Sequence, residues 1–255
     1  QAIIASNIQM TKESHKFQLL KMEAHQALGQ LQGTFDLVFW ILYAKEQIVA
    51  DIETLAERDL LGEEVMVVCE TDKAVDLPEE IACLGIWKEK IYGISKVTVY
   101  ADKIGLFTGS FDPMTLGHLD LIERASRLFD RLYVGIFFNH EKKGYFTIEQ
   151  REAIVTEAGL FANVRVITSE AELAVEVARR YGVTSLVRGL RNSQDFLYES
   201  NMDYFNHQLA PELETIYLCA QPQYQALSST RIRELLTFQQ DVSAYVPESV
   251  IKEMK

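Results

Sequence analysis

Gly109-Ser110-Phe111-Asp112-Pro113-Met114-Thr115-Leu116-Gly117-His118 is the stretch whose reading decides the fold. The apolar run 104–107 (IGLF) enters it as a strand, and a helical pattern over 116 to about 129 leaves it. A strand passing through a glycine turn into a helix opens a parallel α/β unit and points orphan amides at an anion. Gly109 lets the backbone approach a polyphosphate closely. Ser110 offers a hydroxyl and an amide that bridge two phosphates. Gly117 removes a side chain where a nucleotide would lie against the turn. His118 falls in the first helical turn, where the positive dipole end already favours anions.

Working outward, strands and helices alternate to the end of the chain. Strands are expected at 132–138 (LYVGIFF, apolar throughout as in a sheet covered on both faces), 164–167, 185–188 and 214–219. Helices are expected from Thr147, with Gln150 as capping-box partner, to about 160, then over 173–181 before Gly182, 193–209 and 229–237. This order predicts an α/β fold, a Rossmann-like parallel sheet with helices on both faces. Before residue 103 the pattern is different: helix 18–32, strand 35–42, helix 44–58, strand 64–70 and a hairpin over 86–100, which reads as half of an α/β domain. A boundary is expected at Ala101-Asp102-Lys103, dividing the chain into 1–102 and 103–255, with no Pro/Ser-rich linker.

The chain has 255 residues, and its 48% hydrophobic content is enough for packed cores. Lys and Arg number 25 against 37 Asp and Glu, a net charge of −12. Residues 1–102 carry 9 basic and 17 acidic side chains (−8), and residues 103–255 carry 16 and 20 (−4). That balance disfavours nucleic acid, most of all for the first segment. The longest apolar run, 37–43, is too short to cross a bilayer, and the first residues lack the basic-then-apolar pattern of a signal peptide. Gln1 in place of Met is consistent with a missing or removed start. Cys69, Cys83 and Cys219 lack CxxC spacing and read as buried thiols in a reducing cytoplasm, with no protein-held metal expected.

The T-x-G-H pattern at 115–118 resembles the nucleotidyltransferases of the HIGH superfamily. Further motifs narrow the likeness to bacterial phosphopantetheine adenylyltransferases across 103–255. These are Lys142-Lys143, Arg188-Gly189-Leu190-Arg191, Asp195-Phe196 with Tyr198-Glu199, Asn206, Ser228-Ser229-Thr230, and Asp241-Val242 with Tyr245 and Pro247. The resemblance implies transfer of AMP from ATP to 4′-phosphopantetheine, with Mg2+ accompanying the ATP. It assigns His118, Lys142 and Arg191 to catalysis. ATP would meet Ser110, Phe111, His118, Gly189, Leu190, Arg191, Glu199, Tyr224, Gln225, Ala226, Leu227, Ser228, Ser229 and Thr230. Phosphopantetheine would meet Ser110, Lys142, Ala174, Arg188 and Asn206. A cytoplasmic homo-hexamer with feedback binding of coenzyme A is implied as well.

Read as residues alone, several of these positions keep a second meaning. Arg188 and Arg191 also fit ion pairs with Asp195 and Glu199, Ser228 to Thr230 also fit a helix cap, and Lys142-Lys143 also fit a solvated loop. Four positions depart from the family pattern: Thr108 replaces the usual proline, Leu116 a polar residue, Ala174 a larger apolar one, and Thr230 a serine. The alternatives are another HIGH-type nucleotidyltransferase, acting on nicotinamide mononucleotide or glycerol phosphate, or a noncatalytic RNA-binding or assembly module.

Residues 1–102 resemble the C-terminal half of bacterial 16S rRNA guanine-N2 methyltransferases. The likeness rests on Phe35-Asp36-Leu37-Val38-Phe39, Tyr43-Ala44-Lys45, Val68-Cys69-Glu70-Thr71 and Tyr92-Gly93 with Ser95-Lys96-Val97. No glycine-rich turn precedes Phe35, and the D/N-P-P-Y motif is replaced by Trp40-Ile41-Leu42-Tyr43. No methyltransferase activity is therefore expected of this segment.

Overall fold

The computed structural model describes residue 20 and residues 22–41, 44–138 and 144–254; of residues 63 and 64 only the backbone is described. The chain divides into two compact units, Gln1–Ala101 and Asp102–Lys255.

In the first unit a short helix α1 (Ala24–Leu28) precedes β1 (Phe35–Ile41), α2 (Lys45–Glu57), β2 (Leu61–Asp72), β3 (Glu80–Ile81), β4 (Leu84–Tyr92) and β5 (Ser95–Ala101). The sheet order is β1-β2-β5-β4-β3, with β1 parallel to β2 and the other pairs antiparallel. Ile48, Ile52 and Leu55 of α2 pack with Trp40, Val67 and Tyr100 in one core. The helix expected over 18–32 is described only as α1, because Gly29 caps it and Gly33 takes a φ of +81°. Its positions 18, 19 and 21 lie outside the described residues.

The second unit follows the expected alternation closely. It runs β6 (Ile104–Gly109), α3 (Leu116–Ser126), β7 (Arg131–Phe138), α4 (Ile148–Thr156), β8 (Val164–Glu170), α5 (Ala174–Arg180), β9 (Ser185–Leu190), α6 (Ser193–Leu209), β10 (Glu214–Cys219), a 3-10 turn (Pro222–Tyr224), α7 (Ser229–Thr237) and α8 (Glu248–Glu253). Five parallel strands lie in the order β10-β9-β6-β7-β8. Period-2 alternation gives each face its own core. Phe107, Val134, Ile136 and Val187 pack with Leu121, Ile122, Ile154 and Ile232 on one side. Leu106, Tyr133 and Leu186 pack with Val175, Val177 and Ala178 of α5 on the other. Gly105 is required where β6 passes Phe129, since a Cβ there would sit 2.7 Å from the ring.

This order places a topological switch between β6 and β9. From β6 the chain winds outward through β7 and β8, then returns to build β9 and β10 on the opposite side. Loops leaving the carboxyl ends of β6 and β9 therefore diverge and leave a crevice, the usual ligand position in an open α/β sheet.

The cysteine expectation needs correcting. Cys69 is buried, and burial raises its thiol pKa to about 12, but Cys83 and Cys219 are exposed. Cys83 lies in the turn between β3 and β4, and Cys219 ends the edge strand β10. Among the described residues no helix is long and apolar enough to cross a membrane.

Candidate active site

The loop after β6 folds around one aromatic side chain. Phe111 adopts a φ of +46° and is fully buried, its ring 5.3 Å from that of His118. A Cβ at Gly109 would come within 3.1 Å of the Phe111 ring, so glycine lets the turn close over it. Asp112, also buried, accepts the backbone N–H groups of Tyr145 (2.9 Å) and Phe146 (2.9 Å) and pairs with Arg151 Nη2 at 3.3 Å. The carboxylate thus serves the loop's shape.

Thr115 caps α3, and the reciprocal partner of the capping box is His118 itself. The Thr115 backbone N–H donates to His118 Nδ1 at 3.0 Å, while the His118 N–H donates to Thr115 Oγ1 at 3.3 Å. An amide can only donate, so Nδ1 must carry a lone pair and the proton of the neutral ring sits on Nε2. Burial first, and the Arg191 guanidinium second, hold the His118 pKa down to about 4. At neutral pH His118 is therefore an uncharged N–H donor, and the positive character of the first turn comes from the helix end.

The two arginines from β9 and the turn after it are both engaged. Arg188 donates from Nε to Glu199 Oε2 at 2.6 Å, and from Nη1 to the Thr108 carbonyl (3.2 Å) and the Thr108 hydroxyl. Arg191 grips Asp195 with Nε (2.8 Å) and Nη2 (3.0 Å), which lowers the Asp195 pKa. The ion-pair reading and the cavity-lining reading therefore hold together: each arginine is fixed by a carboxylate and also faces the crevice.

A cavity of about 370 Å³ occupies the switch point. It gathers Ser110, His118, Arg188, Gly189, Arg191, Glu199, Tyr224, Leu227, Ser228, Ser229 and Thr230 of the expected set. Gly117 admits Tyr224, whose Cβ would lie 3.4 Å from an added methyl. Ser228 caps α7 by accepting the Arg231 N–H (3.2 Å), and the Ser229 hydroxyl donates to the Pro113 carbonyl (2.8 Å), so the cap also ties this turn to the β6 loop. A second cavity, about 900 Å³, lies beside it between Phe137, Phe138, Tyr145, Phe146, Arg151 and Glu172.

Other expected residues fall elsewhere. Phe111 lies beneath the loop, and Leu190, Gln225 and Ala226 do not line the first cavity. Ala174 and Asn206 line neither cavity, although Ala171 and Glu172, just before α5, border the second. Lys142 and Lys143 lie outside the described residues. Arg233 was not anticipated; it lines both cavities from α7, one turn beyond Ser229. The i, i+4 spacing from Ser229, the first residue of α7, was the signal that would have found it.

Comparison with known proteins accounts for both units. A family model described as cytidylyltransferase-like matches residues 106–235. The phosphopantetheine adenylyltransferase of Streptococcus sanguinis (strain SK36) is 69% identical over 156 residues, covering 61% of this chain and 95% of that protein. The chain belongs to the phosphopantetheine adenylyltransferase family. A second such adenylyltransferase, from Streptococcus gordonii (strain Challis), is 68% identical with the same coverage. Ahead of the adenylyltransferase unit, a model described as conserved hypothetical protein 95 matches residues 1–101. A solved conserved hypothetical protein from Streptococcus pyogenes shares 69% identity over 40% of this chain, with a TM-score of 0.38; this chain spans 64% of its length.

Proposed function

We propose that residues 102–255 transfer AMP from MgATP to the phosphate of 4′-phosphopantetheine, giving dephospho-coenzyme A and pyrophosphate. The observation that carries this reading is a cavity at the switch point whose walls hold Ser110, His118, Arg191 and the Ser228–Thr230 turn, with a second cavity adjoining at Ser110. An oxygen of the acceptor phosphate attacks the α-phosphorus. The bond from that phosphorus to the bridging oxygen breaks, and the electron pair leaves with pyrophosphate. The acceptor is already an anion, so no base is required. The protein's task is to hold two anions together and oppose the charge that builds in the transition state.

His118 offers its Nε2–H to a non-bridging oxygen. Arg191, braced by Asp195, faces the triphosphate. Arg188, braced by Glu199 and Thr108, faces the acceptor phosphate, and the family resemblance assigns Lys142 to the same ligand. Magnesium enters on the triphosphate as part of the substrate. Tyr224 and Gly189 flank the adenosine.

Assembly into a homo-oligomer, a hexamer by resemblance, is part of the same proposal. It is supported by α6, which buries none of its 17 residues and leaves Leu197, Tyr198, Tyr204 and Phe205 each more than 60% exposed. A cytoplasmic location and feedback binding of coenzyme A belong to it as well. For residues 1–101 we propose no methyl transfer. Trp40, at the place of the missing motif, is 6% exposed and donates its indole N–H to the buried carboxylate of Asp51 (3.2 Å), a packing role.

Pyrophosphate release with MgATP and 4′-phosphopantetheine tests the main reading, with nicotinamide mononucleotide and glycerol phosphate as competing acceptors. Turnover is expected with phosphopantetheine. Release with either of the other acceptors in its place would refute the assignment.

A further inference from the structure

The sheet of the first unit is covered by its helices on one face only. Trp40, Val67 and Tyr100 point into the core that Leu28 of α1 and Ile48, Ile52 and Leu55 of α2 complete. Period-2 alternation sends the strand neighbours of those residues to the opposite face. Register joins that second face into rows across four strands. Phe39 stands beside Val68, Val99 and Lys88, and Ile41 beside Glu70, Val97 and Lys90. Leu37, Phe39 and Ile41 are each more than half exposed, and Met66, the cross-strand neighbour of Leu37, is exposed too. None of these apolar residues belongs to the core cluster.

The size of this patch suits pairing with its own kind. A half-covered large apolar side chain leaves on the order of 100 Å² open, so the patch amounts to about 500 Å², and two of them laid together bury about 1,000 Å², the lower bound for a specific interface. Its charges point the same way. Glu70 is the one acid in the two rows, and among the described residues neither it nor Lys88 nor Lys90 makes an ion pair. The lysines rest on rings instead, Lys88 Nζ 5.9 Å from the centroid of Trp87 and Lys90 Nζ 5.3 Å from that of Tyr92.

An acid and a base two strands apart in one row are complementary to the same row read backwards. A two-fold axis along the strands, over the middle of the sheet between β2 and β5, produces that reversal. It lays β4 of each copy over β1 of the other, with the sheets about 10 Å apart. The lysine stems then cover Phe39 and Ile41, and each Lys90 ammonium reaches toward Glu70 one strand further in, a lateral step of about 4.8 Å. Two ion pairs form by the same operation, as an isologous contact requires.

We propose that this uncovered face docks a second copy of the chain, sheet against sheet about that two-fold axis. The inference stands apart from the adenylyl-transfer reading, which concerns the other unit.

The test is light scattering on the full chain carrying Leu197→Glu and Phe205→Glu, so that the contact assigned to α6 does not mask the result. Measurement spans roughly 1–100 μM chain, the range that a small interface calls for. Added Glu70→Lys or Lys90→Glu is expected to halve the mass by setting like charges against each other, with the melting temperature little changed. The double variant E70K/K90E restores the pairing with its signs exchanged and is expected to recover the full mass. Equal mass with and without the single changes would overturn the proposal, and is the outcome if another segment of the same chain covers the face. Single variants that fall while the double does not recover would reject the two-fold pairing and the proposal with it. If E70K does not fold, Lys90→Glu, at an exposed position of β4, decides alone: half the mass supports the contact, and an unchanged mass refutes it.

Discussion

Thr108→Val removes a hydroxyl that holds Arg188 and alters little else. The guanidinium of Arg188 has three anchors: Glu199 Oε2 at 2.6 Å, the Thr108 carbonyl at 3.2 Å and the Thr108 hydroxyl. Valine matches threonine in shape and keeps the carbonyl, so only the third anchor is lost. A hydrogen bond to a charged group contributes about 1.5–3 kcal/mol to stability. Here the Arg188 side chain is 26% exposed and two anchors survive, which places the loss nearer about 1 kcal/mol. At about 1.4 kcal/mol per factor of ten, the KM for phosphopantetheine should rise about fivefold, with kcat changed less. Steady-state pyrophosphate release at saturating MgATP measures this directly. Thr108→Ser keeps the hydroxyl and should stay near wild type. An unchanged KM in T108V, or a T108S variant as impaired as T108V, would refute the reasoning.

Three further outcomes are expected. NMR of the His118 imidazole should show a neutral Nε2–H ring at pH 6. Because its folded pKa, about 4, lies below the ordinary 6.5, stability that depends on the neutral ring is present above 6.5 and lost as pH falls toward 4; a midpoint near 6.5 would contradict the capping geometry. Replacing Leu197 and Phe205 of α6 with Glu should lower the mass seen by light scattering, whereas an unchanged mass would mean this face is not the contact. Incubation of the chain with labelled S-adenosylmethionine and rRNA should leave the RNA unlabelled, and any transfer of label would reverse the reading of residues 1–101.

Much of the second unit was legible because buried parallel strands are written as continuous apolar runs between glycine turns, as in 132–138. Helix ends were less so. Phe129 and Leu160 extend the apolar pattern past Ser126 and Thr156, yet Phe129 belongs to the core beyond its helix, and Gly159 turns the chain with a φ of +76°. The short α8 carries too few residues to show a period. At the site, the turn at 109–118 was readable because a strand passing through glycine into a helix has few other uses, whereas the arginine pair fitted ion pairs equally well and makes them. The neutrality of His118 was not, since it depends on which atom a backbone amide points at. Arg233 was not legible because an arginine in the second turn of a partly exposed helix has many ordinary uses. In the first unit, the stretch 18–32 has helical composition, but Gly29 and Gly33 dominate its end.

The imidazole at position 118 closes its own helix, and this constrains what mutagenesis there can reveal. Alanine would delete the proposed ligand contact and the reciprocal half of the capping box together, leaving only the Thr115 hydroxyl on the backbone N–H, so a dead enzyme would carry two explanations. Glutamine is the informative replacement. Its amide oxygen can reach back to the Thr115 N–H as glutamine does in ordinary capping boxes, which would preserve the turn while withdrawing the ring, and the residual turnover of His118→Gln would then report on chemistry alone.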